Sequence, residues 1–195
     1  MIREQRVDEM LACFEKIPVQ PGDCYVVPAG TPHAIGAGVF MVELMEPTDW
    51  VVRCETVTAG LALSPEACFM GIGLEACLDI FDYRAYSVAG VRQHFQQPPR
   101  LITKSGSFTE EELIGAAWRN FFRMHRLRGD TDTTWAGNEL MLAIILQGRG
   151  QLNAGDTACE VAAGQTWLLP GAAQNWNWRN AGGAWEILLL KLPVR

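Results

Sequence analysis

A pattern that occurs twice constrains this chain more than any other feature. Gly22-Asp23-Cys24-Tyr25-Val26-Val27-Pro28-Ala29-Gly30-Thr31-Pro32-His33 lines up with Gly164-Gln165-Thr166-Trp167-Leu168-Leu169-Pro170-Gly171-Ala172-Ala173-Gln174-Asn175. Each copy reads glycine, a short pair of polar or small residues, an apolar strand, proline, a small-residue turn and a polar side chain. Proline ends a ladder and small residues allow the chain to reverse, so the unit is a strand, a tight turn and a returning strand. The returning strand is expected to begin with an inward polar residue, His33 in the first copy and Asn175 in the second. An internal repeat of this kind predicts a fold that uses one β unit twice.

Composition narrows the class. The 19 glycines and 10 prolines punctuate many short apolar runs, the pattern of a sandwich or barrel, and 195 residues suffice for one large or two small domains. Hydrophobic residues at 49% and charged residues at 19% exclude a disordered chain. A net charge of −6 without a basic stripe argues against nucleic acid. No apolar run approaches the ~20 residues a bilayer requires, and Met1-Ile2-Arg3-Glu4-Gln5-Arg6 does not open a signal peptide or membrane anchor. The six cysteines lack C-x-x-C spacing, which disfavours a cysteine-ligated zinc site; they are expected to be reduced thiols of a cytoplasmic chain.

Along the chain, Val7, Met10, Leu11, Phe14 and Ile17 recur at helical spacing and predict one amphipathic helix ended by Pro18. Strands are predicted over Cys24–Val27, Val39–Met45 and Trp50–Cys54. Ser64-Pro65-Glu66 is a helix start, with a serine cap and proline at the first helical position. Gly71 and Gly73 break that helical region, and 87–95 predicts another short helix. Gln96-Gln97-Pro98-Pro99 is the best linker. Strands then return at Phe122–Leu127, at Leu140–Leu146 (expected to be buried on both faces), at Trp167–Leu169 and at Trp185–Leu192.

The first copy of the repeat resembles the second motif of the cupin barrels. The stretch Leu146-Gln147-Gly148-Arg149-Gly150-Gln151-Leu152, with Ala163-Gly164 and Leu168-Leu169-Pro170, also resembles a cupin. More specifically, Val19 through Gly38, with Pro28-Ala29-Gly30-Thr31-Pro32-His33-Ala34 at its centre, resembles the zinc-dependent mannose-6-phosphate isomerases of the cupin type, as does Val42-Glu43-Leu44-Met45-Glu46-Pro47-Thr48-Asp49-Trp50-Val51-Val52-Arg53. The close resemblance covers residues ~5–55, while 101–195 resembles more loosely that family's second, metal-free barrel. It implies a mainly β cupin fold (a double-stranded β-helix or jelly roll) with a partial first barrel over 1–63, a small helical connector over 64–98 and a complete second barrel over 99–195. It also implies interconversion of mannose 6-phosphate and fructose 6-phosphate through a cis-enediol, assisted by zinc.

Three residues carry the implied chemistry. His33 corresponds to a zinc ligand, although read alone it is more readily a hydrogen-bonded turn histidine. Glu43, within an apolar segment, is placed for proton transfer or for support of the zinc shell, the alternative being an outward strand glutamate. Arg53 is placed to stabilise negative charge on an enediolate or to position sugar oxygens; otherwise it is an exposed arginine or half of a salt bridge. Relatives continue with Tyr-Arg-x-Tyr-Asp, whereas Val52-Arg53-Cys54-Glu55-Thr56 here lacks the aromatic residue and the aspartate. Glu46 and Asp49 read as solvated or capping residues, His94 and His125 as surface or structural. Arg100 and Lys104 make a weak phosphate signal. Trp167, Trp176, Trp178 and Trp185 suit a barrel core or a sugar-stacking surface.

The family's other zinc ligands come from strands upstream of the Pro21-Gly22-Asp23 turn, for which the residues before Pro21 have no counterpart. The expectation is therefore a C-terminal portion of such an isomerase, forming a homodimer or docking with the missing N-terminal part. The alternative is a non-catalytic cupin module that binds a sugar or sugar phosphate or completes a partner chain.

Overall fold

The computed structural model describes residues 1–48, 50–58 and 60–193. The chain divides into two compact units, Met1–Gln96 and Gln97–Arg195.

The N-terminal unit is mostly irregular. After a 3-10 turn at Ile2–Glu4 it holds α1 (Val7–Ala12), the two-residue strands β1 (Val57–Thr58) and β2 (Leu61–Ala62), α2 (Pro65–Cys68), α3 (Leu74–Leu78) and α4 (Val88–Phe95). The serine cap predicted at Ser64 forms, its Oγ accepting from the Ala67 amide at 3.2 Å, and Ser87 Oγ caps α4 in the same way, accepting from the Gly90 amide at 3.2 Å. α1 stops at Ala12, well before Pro18. None of its residues is buried, so the helix lacks the tertiary packing that sustains short helices.

The strands predicted over Cys24–Val27, Val39–Met45 and Trp50–Cys54 do not form ladders. Among the described residues of this unit, β1 pairs with β2, and Tyr25 makes an isolated bridge with Gln96. Alternation and β-branching favour an extended backbone, but a strand also needs a neighbour for its N–H and C=O groups. None of these segments pairs with another within the unit.

The C-terminal unit supplies those neighbours throughout. Its strands are β3 (Arg100–Ser105), β4 (Phe108–Glu112), β5 (Arg123–Gly129), β6 (Thr133–Ala136), β7 (Met141–Gln147), β8 (Arg149–Ala154), β9 (Thr157–Ala162), β10 (Thr166–Leu169), β11 (Asn175–Asn180) and β12 (Trp185–Lys191). They form a six-stranded sheet ordered β10-β7-β12-β5-β4-β3 and a four-stranded sheet ordered β6-β11-β8-β9. Every pairing is antiparallel. The eight strands from β5 to β12 alternate singly between the two sheets, except that β8 and β9 follow one another in the smaller one, which is the jelly-roll path of the cupin fold; β3 and β4 extend the larger sheet beyond it.

Alternation along each strand builds the core. Leu127, Met141, Ala143, Ile145, Leu169, Ile187 and Leu189 of the larger sheet meet Trp135, Leu152, Val161, Trp176 and Trp178 of the smaller one, with Trp185 joining them. Trp178 and Trp185 have their ring centroids 5.4 Å apart. Each fully buried side chain of this size is worth roughly 1.5–3 kcal/mol. β7 is not buried on both faces as its apolar run predicts: Met141, Ala143 and Ile145 are covered, whereas Leu142 and Ile144 are half-buried and Leu146 is exposed. The outer face of an antiparallel sheet need not be covered.

Candidate functional site

The three residues implicated by sequence lie in the N-terminal unit. The turn before His33 is held in place from elsewhere in that unit. The Thr31 amide donates to Pro28 O at 3.2 Å, and the Asp82 amide donates to Gly30 O at 2.7 Å. Gly30 has φ +80° and lies so close to Ile80 that a Cβ there would come within 2.6 Å of the Ile80 carbonyl oxygen. Glycine is therefore required by both conformation and space.

His33 is exposed, with Nδ1 2.8 Å from Thr31 O. A carbonyl oxygen only accepts, so Nδ1 carries a proton, and in the neutral ring Nε2 keeps its lone pair. That is the tautomer a metal ligand uses. Glu43 is exposed, lies outside any strand, and makes no hydrogen bond or ion pair among the described residues. Arg53 is exposed as well; its amide donates to Cys68 O at 2.9 Å and Nη1 to Ala67 O at 3.4 Å, which ties it to the end of α2. No hydrogen bond or ion pair joins any two of the three. Glu46 is exposed, and Asp49 lies outside the described residues.

A catalytic zinc needs about three protein ligands around one point. Among the described residues no group of three or more His, Cys, Asp or Glu is placed to hold a metal ion. His33 has the right tautomer but no companions, so these residues do not by themselves fit a zinc centre.

The C-terminal barrel holds a charge cluster that the sequence reading missed. His125 shares the inward parity of Leu127 on β5, and its Nδ1 lies 2.7 Å from Glu110 Oε1. Arg123 Nη1 donates to Glu139 at 2.7 Å, with Lys191 Nζ 3.7 Å from the same carboxylate. The hydrogen bond from His125 holds the Glu110 carboxyl below its usual range, against the opposing effect of burial. Glu112 is nearly inaccessible and bonded to Arg119 at 2.6 Å and to Arg100 at 2.8 Å, which holds its pKa down at about 2. Arg100 is thus committed to an ion pair and is not a free phosphate contact. The legible signal was the run Glu110-Glu111-Glu112 opposite Arg123-Met124-His125-Arg126-Leu127-Arg128, complementary charges on two neighbouring strands.

His94 is exposed, with Nδ1 2.8 Å from Gly90 O. Asn175, the second-copy counterpart of His33, is exposed at the start of β11. Trp176, Trp178 and Trp185 are core residues, and Trp167 is half-buried with Nε1 bonded to Gln165 at 3.1 Å. No helix among the described residues is long and apolar enough to cross a membrane.

No family model matches the chain. A segment of 53 residues is 40% identical to mannose-6-phosphate isomerase ManA of Bacillus subtilis, covering 27% of this chain and 16% of that protein. A segment of 38 residues is 47% identical to mannose-6-phosphate isomerase of Streptococcus mutans, covering 20% of this chain and 12% of that protein. The matched segments are thus a small part of those relatives' length. In structure, the chain is similar to the Bacillus subtilis mannose 6-phosphate isomerase with a TM-score of 0.47 and 11% identity, over 60% of this chain and 33% of that one. It is similar to a cupin 2 conserved barrel domain protein from Rhodopseudomonas palustris with a TM-score of 0.40 and 17% identity, over 51% and 73%. The strand path of the C-terminal unit is that of a cupin-type barrel, and the chain has local sequence similarity to mannose-6-phosphate isomerases.

Proposed function

We propose that this chain is the C-terminal portion of a cytoplasmic aldose–ketose isomerase acting on a sugar phosphate, mannose 6-phosphate to fructose 6-phosphate, and that it contributes to a site completed by further polypeptide. The observation that carries this reading is the 53-residue segment 40% identical to the Bacillus subtilis isomerase. In an aldose–ketose isomerisation a base carries a proton between C2 and C1 while an enediolate oxygen gathers negative charge. Glu43 supplies a carboxylate for the proton transfer and Arg53 a permanently charged donor for the oxygen. His33 offers Nε2 as one ligand of a zinc centre, whose remaining ligands must come from elsewhere. In such a centre the metal would polarise the sugar oxygens.

The backbone around these residues favours a docked partner. Ile35, Phe40, Met41, Met45 and Trp50 are exposed along a segment without ladder partners, Phe40 at 95%. A stretch of this composition with free N–H and C=O groups is a template for pairing with strands of another polypeptide. The remainder of an isomerase or a second copy of this chain would fill that role.

The second reading, a non-catalytic cupin module, is favoured by the absence of a metal-holding group of side chains among the described residues.

The two separate in one experiment. The purified chain is assayed for zinc content and for conversion of mannose 6-phosphate, alone and mixed with the region of the Bacillus subtilis isomerase upstream of its match. The proposal expects neither zinc nor turnover alone, both in the mixture, and at least a hundredfold loss of turnover with Arg53→Ala or Glu43→Gln. Turnover absent from the mixture, or indifferent to both substitutions, would leave the module reading in its place.

A further inference from the structure

The backbone that carries Arg53 lies in no strand, yet it is held at four points. The Arg53 amide donates to Cys68 O at 2.9 Å, and the Leu63 amide donates to Thr56 O at 2.7 Å. The other two bonds come from a single side chain. Gln5 Nε2 donates to Cys54 O at 3.1 Å, and Gln5 Oε1 accepts from the Thr56 amide at 2.8 Å. A carboxamide offers the donor and the acceptor of a peptide group, so Gln5 stands in for the neighbouring strand that this segment lacks.

Gln5 is itself fixed. Its backbone lies in the left-handed region, with φ 49° and ψ 43°. Its amide and its Nε2 both donate to Ile2 O, at 3.1 and 2.6 Å. Residues with a Cβ rarely adopt this conformation, and among the described non-glycine residues only Gln5 and Met70 have a positive φ. Glycine would suit the turn better, but it has no carboxamide to reach residues 54 and 56.

We infer that Gln5 is a positioning residue for Arg53, which rests on the isomerase reading of Arg53 as the donor to the enediolate oxygen. The guanidinium makes one long bond, from Nη1 to Ala67 O at 3.4 Å, so its aim depends on how firmly the backbone beneath it is held. The Cys68 carbonyl fixes the N-terminal side of Arg53, and Gln5 fixes the C-terminal side. A donor aimed in advance at the developing charge stabilises it more than one that must first be ordered. Gln5 acts through Arg53 and needs no contact with the sugar.

Gln5→Gly tests this, because it removes the carboxamide while suiting the left-handed turn. In the full chain with ¹⁵N-labelled arginine, the Arg53 Nε–H resonance should move, and the Thr56 amide should lose about tenfold or more of its exchange protection. In the mixture with the upstream region of the Bacillus subtilis isomerase, the substitution should lower kcat about tenfold and change KM by less than about twofold. In an Arg53→Ala background it should lower kcat no further. Gln5→Glu adds a pH readout. Its carboxylate still accepts from the Thr56 amide but cannot donate to Cys54 O, and protonation restores the donor. The Arg53 resonance, displaced at neutral pH, should return toward its unsubstituted position as the pH falls to about 4, by more than it moves in the unsubstituted chain. An Arg53 resonance unmoved by Gln5→Gly, or an equal loss of kcat with and without the Arg53 side chain, would overturn the inference. Absence of turnover from the unsubstituted mixture would sink the isomerase reading itself, whereas turnover that survives Gln5→Gly intact would sink only the role of Gln5.

Discussion

The two copies of the repeat behave differently, although their sequences share one pattern of residue types. In the second copy, Trp167 pairs in register with Ala143 of β7, and the whole of β10 is laddered. In the first, the corresponding Tyr25 makes one bridge with Gln96 and the segment goes no further as a strand. Burial is also reversed. Val26 is buried and Val27 exposed, whereas their counterparts are an exposed Leu168 and a buried Leu169. A shift of one residue exchanges the faces of a strand, so the two copies present opposite sides to their surroundings. The motif encodes a strand and a turn; which face is buried is set by what lies alongside.

The sharpest break of this comparison is a large-to-small substitution in each unit. Trp178 is fully buried among Trp185 and the β-sheet core, so Trp178→Ala should destabilise the barrel by ~3–5 kcal/mol. Phe40 is 95% exposed, so Phe40→Ala should change stability by no more than ~0.5 kcal/mol. Urea unfolding followed by hydrogen exchange in each unit measures both. A comparable cost at Phe40 would mean that the apolar segment from Ile35 to Trp50 is packed in solution after all.

The charge cluster gives the next largest effect, and only in the barrel. Glu112 is held at about 2 by Arg119 and Arg100, below the ordinary glutamate value near ~4.3. A lowered folded-state pKa contributes stability that is complete above the unfolded value and is lost as pH falls through the folded one. Barrel stability should therefore decline between about pH 4.5 and pH 2, by ~2–3 kcal/mol from this group. Glu110, lowered by His125, adds a smaller loss in the same direction. Glu112→Gln should cost a similar ~2–3 kcal/mol at pH 7 and flatten that acid limb. An acid limb unchanged by the substitution would place the pH dependence elsewhere.

The barrel was legible in the sequence because its signals agree with one another. Alternation in Arg123–Gly129, glycine turns at 148 and 164 and the apolar run at 185–191 all specify strands that find partners within the same unit. The N-terminal segments carry equally good strand composition, but composition does not report whether a neighbour is present. The candidate site was legible as residue types and spacing; its assembly was not, because His33, Glu43 and Arg53 are joined by no contact that sequence spacing alone could have forecast. The charge cluster was missed for a related reason. Glu110–Glu112 and Arg123–Arg128 read as solvated charges until the register of β4 on β5 sets them opposite one another.

The turn after each proline offers the finest test, because the copies place glycine at different positions in it. Gly30 stands where the second copy has Ala172. Gly30 has φ +80°, while the only non-glycine residues with positive φ among those described are Gln5 and Met70, so Ala172 turns with ordinary backbone angles. The two prolines therefore introduce turns of different geometry. Gly30→Ala forces a side chain into the left-handed region and against the Ile80 carbonyl, and should cost ~1–2 kcal/mol. The Asp82 amide, which donates to Gly30 O, should lose exchange protection along with it. The reciprocal Ala172→Gly relieves nothing and only loosens the unfolded chain, so it should cost ~0.4–1 kcal/mol. Were the two substitutions equal in cost, the turns would share one geometry and the copies would differ only in their partners. The expected asymmetry means that the first copy is shaped locally to seat the 80–82 segment under the turn that leads to His33, a constraint the barrel copy does not carry.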